Sequence, residues 1–167
     1  MDKSTSKTSN EIKDRMYFWF LKYHSKTIDE FDGTEQFTLF DKIARDKKES
    51  YLEMLHLQPA ELVVFILRVD NNEVIINTTI RFVRLHGKES ESINYTDFEW
   101  HEGFKTIVAI DSESGKRGNI KTNGYVSKFG LRKKDKQIVH WNIPTGSPGF
   151  AFWNVTKRCE LVGRKYI

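Results

Sequence analysis

The sequence predicts an α+β fold, mainly β: an antiparallel bent sheet or barrel of six or seven strands, closed by a C-terminal helix and preceded by an N-terminal helical extension. Three observations carry this. Strand-length segments rich in Val, Ile, Thr and Phe recur about every 10 to 15 residues after Pro59, with turn signals and no helical patterns between them. Two helical periodicities precede Pro59, and one follows Pro144. The chain divides accordingly into a helical extension over 1–58, with 1–9 disordered, and a sheet-plus-helix unit over 59–167.

Each element has a local reason. Ser9 or Asn10 offers a cap for a helix beginning near Glu11, and Ile12, Met16, Trp19, Phe20 and Tyr23 form one apolar stripe. Thr34 is placed to cap a second helix over 35–47, with Phe37, Phe40, Ile43 and Ala44 on its apolar side. The run 61–69 reads as a strand between Pro59 and the turn Asp70-Asn71-Asn72. The segment 73–95 reads as further strands with a turn at His86-Gly87-Lys88, and 104–111, 119–131 and 136–143 continue the series, with an interruption at Asn123-Gly124. Phe152, Val155, Thr156, Cys159 and Val162 then repeat at helical spacing after Ser147-Pro148. This last helix is expected to lie across the open end of the sheet, with Phe152 and Trp153 as the wedge into it. Arg81 is expected to pair with Asp97 or Glu99.

Composition bounds the function classes. The 167 residues are 38% hydrophobic and 30% charged, with 12 Phe, 6 Tyr and 4 Trp, which excludes a disordered chain. No apolar run exceeds the six residues of 62–67, and the first fifteen residues lack the apolar stretch of a secretory signal. One cysteine, Cys159, leaves no internal disulfide and no cysteine-rich zinc module. The expectation is a cytoplasmic protein without a transmembrane segment and without a cofactor.

Charge is uneven. Residues 1–58 hold 10 Lys/Arg against 11 Asp/Glu, whereas 59–167 hold 17 against 12, and this second part supplies the net charge of +4. Within it, Lys116, Arg117, Lys121, Lys128, Arg132, Lys133, Lys134 and Lys136 face one acid, Asp135, and are the candidate anion-binding residues, for nucleic acid or an anionic membrane surface. Glu99-Trp100-His101-Glu102 is the most enzyme-like group, two carboxylates beside a histidine. In an extended strand Glu99 and His101 would share one side and Glu102 the other. No second histidine stands at ligand spacing, so no catalytic or metal role is assigned. Cys159, on an apolar helix face, reads as an inert buried thiol. No phosphate-loop, dinucleotide or nucleophile-elbow motif occurs.

Two stretches resemble the bacterial pleckstrin-homology-like domains: Val74-Ile75-Ile76-Asn77-Thr78-Thr79-Ile80-Arg81, with Asn77 where that family often has Leu, and Ser92-Ile93-Asn94-Tyr95-Thr96-Asp97-Phe98. Gly149-Phe150-Ala151-Phe152-Trp153-Asn154-Val155 is similar to the start of the closing helix in some members. The resemblance spans about residues 59–163. It implies a non-enzymatic interaction module that binds proteins, peptides or lipids. The lipid-headgroup role of some relatives uses basic residues between the first two strands, where this chain has Asp70-Asn71-Asn72-Glu73. A protein partner is therefore the first expectation, with a homodimer through the N-terminal helices as a further possibility. Small size and an N-terminal part without resemblance also fit an accessory or immunity-type protein of a mobile element.

Overall fold

Two antiparallel sheets carry the fold in the computed structural model, which describes residues 5–102 and 126–167. The first has five strands in the spatial order of the chain: β1 (Phe37–Leu39), β2 (Val63–Arg68), β3 (Glu73–Thr78), β4 (Arg81–His86) and β5 (Glu89–Asn94). The second has three: β6 (Phe98–Glu102), β7 (Val126–Lys133) and β8 (Ile138–Pro144). Three main helices cover them: α1 (Ser9–His24), α2 (Arg45–Leu55) and α3 (Ser147–Thr156). The expected strand over 104–111 and the interruption at Asn123-Gly124 lie outside the described residues. No helix among the described residues is long and apolar enough to cross a membrane.

Four members of the expected α1 stripe, Ile12, Met16, Trp19 and Phe20, are buried, whereas Tyr23, in the last turn, stays exposed beside His24 and Phe150. The cap of α1 is Thr8, one residue before the expected pair. Thr8 Oγ1 accepts the Glu11 N–H at 3.2 Å and Glu11 Oε2 accepts the Thr8 N–H at 2.7 Å, a reciprocal arrangement that Ser9 would place out of register with Glu11. Residues 5–8 lie in the stretch expected to be disordered. There Lys7 N–H donates to Tyr166 O at 2.9 Å and Thr5 Oγ1 to Lys165 O at 2.6 Å, tying this end of the chain to the other.

The helix expected over 35–47 does not form. Phe37, Thr38 and Leu39 are all buried as β1, which pairs antiparallel with β2 (Phe37↔Leu67, Leu39↔Phe65). An apolar strand edge is costly to leave open, and β1 closes that of β2. Thr34 caps nothing: its N–H and hydroxyl both donate to Asp32 Oδ1. The turn here depends on Gly33, at φ 88°, where a Cβ would collide with Lys42 O. The second helix begins only at Arg45.

β2 and β3 are buried along almost their whole length because helices cover both sides. Phe65, Leu67, Ile75, Phe82 and Ile93 face one cluster with α1, α3 and the second sheet. Val63, Ile66, Val74, Ile76, Val83 and Leu85 face another with Phe40, Ile43 and Leu55 of the α2 region. This explains the continuous apolar run of 62–67, since neither side needs a polar residue.

Among the described residues the expected barrel is not closed: β5 pairs only with β4, and β6 only with β7. Between them the chain turns at Asn94–Phe98, with Tyr95 fully buried, and passes from one sheet to the other. The end of the chain seals this corner. A helical turn at Cys159–Leu161 and a π turn at Val162–Tyr166 follow α3, and a Cβ on Gly163 would collide with Tyr95 O. The wedge is Phe152 alone, in ring contact with Phe37, Phe82 and Phe129 at 5.6, 6.3 and 6.1 Å. Trp153, one residue on, rotates to the rim of the helix and meets the ring of Trp100 at 6.5 Å. Val155, Thr156, Cys159 and Val162 are buried as their spacing predicts.

Candidate functional site

The 99–102 group is the first site to build, because its residue types are the most reactive in the sequence. β6 bulges at Glu99: Phe98 stands opposite Lys133 and Trp100 opposite Arg132, so two residues occupy one step. The bulge brings Phe98 and His101 to the same, inner side. The expected sharing of one side by Glu99 and His101 is thereby overturned. Glu99 is left outside, 3.1 Å from Lys136 Nζ, and Glu102 lies 3.4 Å from Arg132 Nε.

His101 is buried among the rings of Phe82, Phe98, Phe129 and Phe152, at 5.1 to 5.9 Å. Its Nε2 meets Thr156 Oγ1 at 3.0 Å, and that hydroxyl donates to Phe152 O at 2.7 Å. Burial, and to a smaller extent the charge of Lys157, pushes the imidazole down to about 3. It is a neutral ring that joins β6 to α3. A general base needs access to a substrate proton, and aromatic side chains surround this one.

Cys159 is fully buried, and burial pushes its thiol up to about 12, which removes the thiolate that a nucleophile needs. It lies 4.0 Å from Asn77 Nδ2, which donates to Tyr95 Oη at 3.0 Å, and Tyr95 Oη donates to Thr78 O at 2.7 Å. This polar chain joins β3, the sheet-to-sheet corner and the C-terminal turn inside the core.

Two buried carboxylates were not singled out from the sequence. Glu61 receives Arg81 Nε at 2.7 Å, Arg81 also donates to Leu55 O at 3.0 Å, and the pair binds β4 to the end of α2. The expected pairing of Arg81 with Asp97 or Glu99 fails because Arg81 faces the α2 side of its strand. Burial works to raise the Glu61 carboxyl, but hydrogen bonds from Arg81, Gln58 and Thr78 outweigh it and hold the group below its ordinary value. Glu73 receives Arg84 Nε at 2.9 Å and, from the other sheet, Asn142 Nδ2 at 3.3 Å. The available signal was register: alternation sets Glu73 and Arg84 on one side of adjacent strands, one step apart.

A cleft of ≈ 370 Å³ opens near Glu73, between α2 and the β2–β3 turn, and Lys47, Tyr51, Arg68, Asp70 and Leu85 line it. Its guanidinium is already engaged, since Arg68 donates to Glu35 O at 2.7 Å and Gly33 O at 3.2 Å. Of the candidate anion-binding residues, Lys116, Arg117 and Lys121 lie outside the described residues. Arg132, Lys133, Lys134 and Lys136 gather at the β7–β8 turn, while Lys128 sits about 16 Å back along β7 at ordinary strand rise. Arg132, Lys133 and Lys136 each have a carboxylate within 4 Å, from Glu102, Asp135 and Glu99. Three of the five candidate residues that are described are thus matched locally.

Together these features define a class by architecture: an α+β protein of two mainly antiparallel sheets, with a C-terminal helix between the sheets. No family model, curated protein or solved structure matches the chain.

Proposed function

We propose that the chain is a non-enzymatic interaction module of the pleckstrin-homology-like type, acting through contacts with a protein partner. The observation that carries this is the division of the 99–102 group. The bulge in β6 buries its imidazole as a packing element and leaves both carboxylates outside on lysine and arginine, so its acid and base functions face different surroundings. The order of the described elements supports the family reading, with β2 to β8 followed by α3 and its terminal helical turns. So does the meeting of the two resembling stretches, where Asn77 of one donates to Tyr95 of the other. Asn77 is the departure from the usual Leu, and the buried tyrosine hydroxyl gives it a partner.

Capture of partners by the full chain at about 50 and about 200 mM salt tests the reading, because contact with nucleic acid loses roughly tenfold or more across that range. The expected result is a polypeptide retained at both concentrations. Turnover in a broad hydrolase or nuclease screen, abolished by Glu99→Gln, would overturn it. Binding that collapses with salt and is lost on Lys134→Glu would instead favour an anion-binding role for the β7–β8 turn.

A further inference from the structure

The inward side of α1 is spent on the core, yet Phe18 points outward and is 52% exposed. Clefts adjoin it on two sides. One, of ≈ 640 Å³, lies toward the C-terminal turn and is lined by Lys7, Arg15, Lys165 and Tyr166 among others. The other, of ≈ 370 Å³, lies toward the end of α1 and is lined by Leu21, Lys22, Lys26 and Thr27 among others. Arg15 and Lys22 flank Phe18 along the helix, with their charged groups 5.7 and 5.8 Å from the centre of its ring.

Base outnumbers acid on this face: among the described residues the two clefts are lined by Lys7, Arg15, Lys22, Lys26 and Lys165 against Glu11, Asp14 and Glu30. Among the described residues no carboxylate lies within 4 Å of the charged groups of Lys7, Arg15, Lys22 or Lys26, in contrast to Lys13, which pairs with Asp41 on the other flank of the helix. Glu11 accepts the Thr8 N–H and Glu30 the Thr27 N–H, which holds both carboxylates in place and leaves their charge on the face.

We propose that this face of α1 binds an acidic polypeptide segment that lays a large apolar side chain beside Phe18. The proposal rests on the interaction-module reading and places its contact surface. Arg15 and Lys22 are seven residues apart, about 10 Å along a helix, and carboxylates four residues apart share one side of an extended peptide and span about 13 Å, within reach of these two long side chains, with the residue midway between them on the same side. An apolar residue between those acids then falls opposite Phe18. The concavities on both sides suit side chains spaced along a chain, whereas a flat bilayer would leave them unfilled. A second copy of this protein, docked by a twofold axis, would set this predominantly basic face against itself.

The probe is a random copolymer of glutamate and tyrosine, titrated onto the full chain, with vesicles of phosphatidylcholine and phosphatidylserine as a parallel arm. Arg15→Glu combined with Lys22→Glu, and separately Phe18→Ser, change exposed side chains, and circular dichroism checks that each variant stays folded. The expected result is copolymer binding that weakens at least about tenfold in the double charge variant, weakens with Phe18→Ser, and is unchanged by Lys134→Glu. Absence of copolymer binding, or equal binding by the wild type and the double variant, overturns the proposal. Equal binding leaves the interaction-module reading standing with its surface elsewhere, whereas failure of that reading shows as turnover lost on Glu99→Gln. Vesicle binding lost in the double variant, without copolymer binding, assigns the face to a membrane and also overturns the proposal.

Discussion

The two sheets are built from similar residues but treat polar groups in opposite ways. The first is covered on both sides, by α2 on one and by α1 and α3 on the other, so polar side chains in its strands must find partners within the protein. Glu61–Arg81, Glu73–Arg84 and Asn77–Tyr95 are those pairs. The second sheet buries one side, with His101, Phe129, Leu131, Trp141 and Ile143, and turns Trp100, Glu102, Arg132 and Ile138 outward. Its ion pairs are more exposed, with 27% to 68% of each side chain reaching solvent. A pairing that looks the same on a distance list therefore has a different energetic meaning in each sheet.

The largest effect is expected where the sheets meet. Phe152→Ala removes the side chain that touches both, and urea denaturation should show a loss of about 3–5 kcal/mol. A loss below about 1 kcal/mol would mean that α3 is not the joint between the sheets. Next, Glu61→Gln leaves the Arg81 guanidinium, 13% exposed, without its counter-charge, for an expected cost of about 3 kcal/mol by the same measurement.

His101 gives a pH test of the inner side of the second sheet. Its folded value of about 3 lies below the ordinary 6.5, so the unfolded chain takes up this proton first. The contribution is complete above about pH 6.5 and is lost as pH falls toward 3, which amounts to about 2 kcal/mol at pH 5. His101→Leu should flatten that part of the stability–pH curve, and an unchanged slope would contradict the buried neutral ring. Thr156 keeps its bond to Phe152 O in this variant, so no hydroxyl is stranded. The smallest effect belongs to Lys136→Ala on the outer side, where the lysine is 68% exposed: under about 0.5 kcal/mol, and smaller still at high salt. A cost comparable to that of Glu61→Gln would erase the contrast between the sheets.

Much of this was legible in the sequence. The stripe of α1, the apolar run in β2, the turn after β4 and the spacing of Phe152, Val155, Thr156, Cys159 and Val162 all led to the observed elements, because each records a local period. The segment 34–47 misled for the same reason. Phe37, Phe40, Ile43 and Ala44 repeat at helical spacing, but the open edge of β2 recruits Phe37–Leu39 as a strand. Reading 99–102 by strict alternation failed because a bulge leaves no clear mark in one sequence. The candidate basic residues were visible as charges, but apart from Asp135 the acids that meet them were not, since Glu99 and Glu102 stand 37 and 30 residues from their partners.

By itself the amino-acid order determined the class of fold, the antiparallel sense of the strands and the burial of Cys159. These follow from periodicity, short connections and side-chain polarity, all of which act between near neighbours. Tertiary structure alone decided that the described strands form two unjoined sheets, that Phe152 rather than Trp153 fills the space between them, that His101 faces inward, and that Arg81 chooses Glu61. Each of those outcomes turns on the space and charge left by elements distant in the chain, which no local pattern encodes.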